Sequence, residues 1–231
     1  MEIKYINENA MACVFEETIS EQVNQQVLAL KRALERQQVE GIEEIITSYH
    51  TLVIYFKDSI THDGIAELIN RLDISDRAER TAKVYTIPVC YDYGLDLAEL
   101  AEYCGLTPQE VIERHTSRQY LIYMLGFMPG FPFLGGLDAS IAKSRKETPR
   151  KEIPAGSVGI ANEQTGMYPL ASPGGWNIIG RTPVTLFDAD RTPAVFYEAG
   201  DYIQFKAVSK EEYTAIEQDS EYQIEVKEAE V

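Results

Sequence analysis

Residues 120–201 constrain this chain more than any other stretch, because glycine, proline and aromatic residues alternate there with short apolar runs. The segment reads YLIYMLGFMPGFPFLGGL, then PRKEIPAGSVGIANEQTGMYPLASPGGWNIIGRTPVTLFD, and further on AGD. A glycine permits φ > 0 or close backbone approach, and a proline fixes φ and removes an N–H. Such a stretch is unsuited to long helices. It suits short strands joined by tight turns, or a pocket lined by backbone. Strand-like runs at 120–127, 157–161, 176–179, 185–187, 194–197 and 202–205 recur at short spacing. This is the pattern of a closed or nearly closed all-β barrel.

The preceding part reads differently. Runs 3–6 and 10–15 are two short strands around Asn7-Glu8-Asn9. Ser20 caps a helix carrying Val23, Val27, Leu30 and Leu34 at helical spacing through Gln38, with Gly41 as its left-handed stop. Runs 42–48 and 51–56 are β-rich, and 61–72 is a second amphipathic helix. The order β-β-α-β-β-α predicts helices on one face of an antiparallel sheet. A polar stretch at 73–83 separates the two parts. Then come a strand at 84–91 whose Pro88 favours an edge or a strand end, and a short helix at 96–104 closed by Gly105. A further helix is opened by Thr107-Pro108-Gln109-Glu110, a capping box with proline at N1. The predicted organisation is an α+β domain at 1–82, a mainly-β barrel domain at 83–209 and an acidic tail at 210–231 that begins as a helix and ends solvated.

The 231 residues carry a net charge of −16, which disfavours nucleic acid and anionic membrane as partners but not a small anion in a locally positive pocket. The N-terminus has no basic segment followed by an apolar one, as a signal peptide would, and no apolar run is long enough to span a membrane. Cys13, Cys90 and Cys104 are far apart and form no CxxC pair. Free thiols in a reducing cytoplasm are the expectation.

Several chemistries are disfavoured. Lys143-Ser144 has no glycine at the P-loop offset, and no dinucleotide fingerprint occurs. Ala155-Gly156-Ser157-Val158-Gly159 resembles a nucleophile elbow, but His50, His62 and His115 all precede the serine. Ser140-Ile141-Ala142-Lys143 matches SxxK without its companion motifs. The histidines have no second ligand nearby, so no metal site is expected.

Four features survive as candidates. Phe127, Pro129, Gly130 and Phe131 form a stiff apolar loop, either a pocket wall or a buried turn. The basic run Lys143, Arg145, Lys146, Arg150 and Lys151 stands out in so acidic a chain. Arg150, bracketed by Pro149 and Pro154, is the chosen anion reader, since arginine grips carboxylate or phosphate with two parallel bonds. Ser172, Gly174, Gly175 and Trp176 offer backbone donors beside a flat ring, with Arg181 as a further cation; the alternative is a turn with a packed tryptophan. His115, just before the barrel, is a candidate general acid or base or else a structural histidine.

The segments GFMPGFPFLGGL, PRKEIPAGSVGIA and TGMYPLASPGGWNIIGRTP, with Gly200-Asp201, resemble the family variously called allophanate hydrolase subunit 1, KipI or the 5-oxoprolinase B subunit. The resemblance spans nearly the whole chain; Phe133 stands where many relatives have tyrosine. It implies a cyclophilin-like barrel in the C-terminal half. It implies two partners, one of the KipA or allophanate hydrolase subunit 2 type and one of the LamB/YcsF type. The implied activity is an ATP-dependent 5-oxoprolinase, with ATP used by the complex and this chain silent alone. Alternatives carried by the family are an inhibitor of a sporulation histidine kinase and, more weakly, a component handling urea or allophanate. The amidase signature of true allophanate hydrolases is absent from the sequence.

Overall fold

The computed structural model describes residues 1–74 and 81–229. It forms two compact units, Met1–Arg80 and Thr81–Val231. The predicted boundary at 73–83 includes residues 75–80, which lie outside the described residues. Among the described residues, no helix is long and apolar enough to cross a membrane.

In the first unit, β1 (Glu2–Asn7), β2 (Ala10–Val14), β3 (Ile42–Thr47) and β4 (Thr51–Phe56) form an antiparallel sheet of order β1-β2-β4-β3. Helices α1 (Glu21–Gln37) and α2 (His62–Arg71) start where Ser20 and Thr61 side chains accept backbone N–H groups. Val23, Val27, Leu30 and Leu34 of α1 pack with Met11, Cys13, Leu52 and Ile54 of the sheet. This is the predicted β-β-α-β-β-α arrangement. The left-handed cap of α1 is Gln38 at φ 47°, and not Gly41, whose φ of 100° serves the turn into β3.

The second unit opens with β5 (Lys83–Val89). Next come α3 (Leu97–Cys104), ended by Gly105 in the left-handed conformation, and α4 (Pro108–Thr116), begun by the Thr107–Glu110 capping box. Strands β6 (Gln119–Leu125), β7 (Pro132–Gly135), β8 (Arg150–Ile153), β9 (Ser157–Ala161), β10 (Gln164–Met167), β11 (Ser172–Gly174), β12 (Asn177–Arg181) and β13 (Tyr202–Ala207) follow. Helix α5 (Lys210–Gln218) and β14 (Glu225–Glu228) complete it. An eight-stranded sheet runs β12-β9-β10-β7-β6-β13-β5-β14, with β8 and β11 in a separate ribbon.

The predicted barrel is realised as a curled sheet and not as a closed ladder. Its edge strand β12 meets the chain just after β5 at a single bridge, where Cys90 and Arg181 exchange backbone hydrogen bonds of 2.9 and 3.0 Å. Runs 185–187 and 194–197 are not strands. Asp188 N–H donates to the Ala194 carbonyl, and Arg191 reaches the carbonyls of Leu186 and Ala194 at 3.4 and 3.0 Å. A guanidinium thus replaces the ladder that a period-2 reading expects. The tail ends exposed, as expected, but as a paired strand: β14 pairs with β5 through Lys83–Thr86 and stops short of Pro88, which has no N–H to offer.

Alternation gives the curled sheet two apolar faces. Inward, Val158, Ile160, Met167, Leu134 and Ile179 join β5, β6 and β13 side chains in the main core. Outward, over β7, β10, β9 and β12, a smaller cluster holds Phe131, Tyr168, Trp176, Ile178 and Ile153, partly covered by the β8–β11 ribbon. Gly166 makes room for it: a Cβ there would stand 3.0 Å from both Phe131 Cζ and Trp176 Cζ3.

Candidate functional site

The outer aromatic cluster brings together two of the rings singled out in the sequence, Phe131 and Trp176. The Phe131 ring lies edge-on to Tyr168 and Trp176, with centroids 5.1 and 5.4 Å apart, and Phe133 packs against both Phe131 and Trp176. Packing is what the Phe133 ring does here. Phe131 and Trp176 are buried, whereas Phe127 is 66% exposed at the tip of the β6–β7 loop. Phe127 also adopts φ 68°, a left-handed conformation that a bulky residue takes at a cost. Pro129 is exposed beside it, and the Gly130 carbonyl accepts the Tyr197 hydroxyl at 2.7 Å. The loop is therefore neither wholly pocket wall nor wholly buried turn: its root is packed and its tip stands in solvent.

Ser172 and Gly174 belong to β11, opposite Ile153 and Arg150 of β8, so this segment is a paired strand instead of a free turn. The Gly175 carbonyl accepts Lys146 N–H at 2.7 Å. Arg150 is thereby brought beside Gly174, as the sequence suggested, but its guanidinium is already engaged. Arg150 Nη1 and Nη2 donate to Asp96 Oδ2 and Oδ1 at 2.7 and 2.6 Å, the two-bond geometry expected for an external carboxylate. Lys146 Nζ adds a contact to Asp96 Oδ1 at 2.8 Å, and Ile178 N–H donates to Oδ2 at 2.7 Å. Burial pushes the Asp96 carboxyl up, and the bonds from Arg150, Lys146 and Ile178 outweigh it, leaving its pKa below the usual carboxylate value. Arg150 is a structural cation in this geometry and not a free anion reader.

Asp96 was legible only as a helix start. It precedes α3 but makes no side-chain cap bond, because its carboxylate turns to the cations instead. Nothing local in sequence signals a pair separated by 54 positions.

His115 is also placed away from any open surface. Its imidazole is fully buried and stacked on Phe205 at 4.5 Å. Nδ1 lies 2.6 Å from the Tyr91 hydroxyl, and Nε2 lies 2.9 Å from Thr165 Oγ1. Thr165 gives its own proton to the Gly159 carbonyl at 3.0 Å, so Nε2 carries hydrogen and Nδ1 accepts from Tyr91. Burial depresses the imidazole pKa to about 3. Both ring nitrogens are satisfied, which corrects the general acid–base expectation toward a neutral core histidine. Arg181 is remote as well. It ends β12, about 15 Å of strand from Trp176 at its start, and its Nε–H bonds the Ala155 carbonyl at 2.8 Å.

A groove of about 410 Å³ opens beside the aromatic cluster, lined by Glu99, Lys143, Ser144, Arg145, Lys146, Glu147, Thr148 and Asn177. The loop at its edge is anchored at three points. Asn162 N–H donates to Lys143 O at 2.7 Å, Asn177 Nδ2 to Ser144 O at 2.9 Å, and Lys146 N–H to Gly175 O. Lys143 and Lys146 are paired with Glu99 at 2.7 and 3.0 Å. The rim thus carries three cations and two carboxylates, and with both lysines engaged, Arg145 is its one cation without an ion pair among the described residues.

A family model described as "Carboxyltransferase domain, subdomain C and D" matches residues 1–197. The 5-oxoprolinase B subunit of Bacillus subtilis (strain 168) is 40% identical, with 95% of this chain and 98% of that protein covered. The crystal structure of TTHA0988 is similar at TM-score 0.81 and 35% identity over 88% of this chain, which spans only 40% of that longer chain. The Kluyveromyces lactis urea carboxylase shares the fold at TM-score 0.75 and 18% identity, over 98% of this chain and 24% of that one. On residues 1–197 and on that near-complete likeness, the chain belongs to the carboxyltransferase subdomain C and D family, in the group of the 5-oxoprolinase B subunits.

Proposed function

We propose that this chain is the B subunit of a heteromeric, ATP-dependent 5-oxoprolinase that opens the 5-oxoproline lactam to L-glutamate. The observation that carries the reading is the 40% identity to the Bacillus subtilis 5-oxoprolinase B subunit over almost the full length of both chains. The partners in this reading are a protein of the KipA type and a protein of the LamB/YcsF type, in the cytoplasm. The match to 40% of the TTHA0988 chain supports a partner, since there a related unit is continuous with further polypeptide. The curled sheet with its single-bridge seam is, in this reading, the cyclophilin-like barrel of the family.

The chemistry explains a division of labour. A lactam is a poor electrophile. Transfer of the ATP γ-phosphoryl group to the lactam oxygen creates a leaving group and releases ADP. Water then adds to the ring carbon and the C–N bond breaks, leaving the free amine and an acyl phosphate. A second water hydrolyses the acyl phosphate to inorganic phosphate and the new carboxylate of glutamate. The sequence has no P-loop, so nucleotide handling is assigned to a partner. This chain's share is to hold the acid while charge develops on the lactam oxygen. The test is reconstitution: the three purified proteins with ATP and 5-oxoproline yield glutamate, and omission of this chain abolishes it. Equal glutamate with and without this chain refutes the reading.

A further inference from the structure

The basic segment 143–151 contains one arginine whose role the fold leaves open. Lys143 and Lys146 face Glu99, and Lys146 and Arg150 face Asp96. Lys151 alternates away from Arg150 along β8 and is exposed, outside the groove lining. Arg145 has no carboxylate within ion-pair distance among the described residues, yet it lines the groove. Its guanidinium stands over the Trp176 ring, 5.9 Å from the centroid. A guanidinium resting on an aromatic face keeps its in-plane donors free for a planar acceptor. The anchors at Lys143, Ser144 and Lys146 hold the backbone on either side of it, so little ordering remains to be done on binding. Ser144 and Thr148 bring hydroxyl-bearing side chains to the same groove.

We propose that Arg145, seated on Trp176, grips the carboxylate of a small cyclic acid bound in this groove. With the oxoprolinase reading, on which the choice of ligand rests, that acid is 5-oxoproline and its lactam ring lies toward the aromatic cluster. The Asp96–Arg150–Lys146 network positions the rim and does not touch the ligand.

Trp176 is the only tryptophan of the chain, so its emission reports on Arg145 without any turnover. The purified full chain is titrated with 5-oxoproline and, separately, with 2-pyrrolidinone, the same ring without the carboxylate. A saturable emission change is expected with 5-oxoproline alone. Arg145→Gln weakens it by about 10- to 100-fold, the loss of a charge-assisted bond, and Arg145→Lys falls between. In the reconstituted complex the same variants raise KM for 5-oxoproline by a similar factor, with kcat nearly unchanged. An equal response to both ligands, an equal response in wild type and Arg145→Gln, or a complex whose KM ignores Arg145 overturns the proposal. Binding through Arg145 in a complex that makes no glutamate would instead sink the oxoprolinase reading and leave the anion site standing.

Discussion

Replacing Asp96 with asparagine tests whether Arg150 is a strut or a substrate ligand. One carboxylate, 2% exposed, accepts two bonds from Arg150, one from Lys146 and one from Ile178 N–H. Asparagine preserves the shape and one acceptor, but removes the charge and turns an NH₂ group toward a cation. Breaking one side of a fully buried ion pair costs about 3–5 kcal/mol. The Arg150 and Lys146 side chains keep 27% and 20% of their exposure, so water returns to them and the lower end applies. We expect Asp96→Asn to lose about 3 kcal/mol and Arg150→Gln about 2 kcal/mol, with the double variant losing at least about 1 kcal/mol less than their sum. Urea unfolding followed by Trp176 emission measures this in the second unit alone, with the midpoint moving at constant m. The pH dependence has a definite sign. The folded carboxyl pKa is lowered, so its stabilisation is present above the unfolded value of about 3.9 and fades as pH falls through the lower folded value. Acid unfolding in that window is correspondingly shallower in Asp96→Asn. A loss below about 1 kcal/mol, or strict additivity of the two variants, would refute the strut and return Arg150 to the list of free cations.

Three further outcomes follow from the same geometry. His115 is held neutral, with its folded pKa lowered to about 3 against 6.5 unfolded, so the unfolded chain binds the extra proton and stability falls as pH drops from 6.5 toward 3; a C2-proton NMR titration in which this imidazole charges near pH 6.5 would contradict it. Phe127→Gly relieves a left-handed bulky residue whose ring is mostly in solvent, so stability changes by less than about 1 kcal/mol. If the proposed function holds, glutamate formation by the reconstituted complex falls in this variant, and unchanged activity would strip the exposed ring of a role. Gly166→Ala drives a methyl against Phe131, Pro132 and Trp176 at 3.0 Å, costing about 1–3 kcal/mol and shifting Trp176 emission; an unshifted midpoint would mean that the outer cluster is loosely packed.

Local structure was already written in the chain. Helix starts at Ser20, Thr61 and Thr107 and the stop at Gly105 rest on single side chains and backbone freedom, and the structure has all four. The two-strand, helix, two-strand, helix order of the first unit follows from apolar periodicity alone. The motifs at 126–136 and 172–177 stood out separately in the sequence, and the structure packs Phe131 of one against Trp176 of the other. The fold in three dimensions settled what each charged or polar side chain does there. A cation is free or engaged according to which carboxylate the fold brings to it, and Asp96 reaches Arg150 across 54 positions. The same distance effect turned His115 into a core residue, through Tyr91 and Thr165 on other elements. It also left Arg145, indistinguishable in sequence from its basic neighbours, as the arginine resting on tryptophan. Helices and turns depend on neighbours in the chain and so are readable from it; electrostatic pairing depends on neighbours in space, which exist only after the sheet has curled.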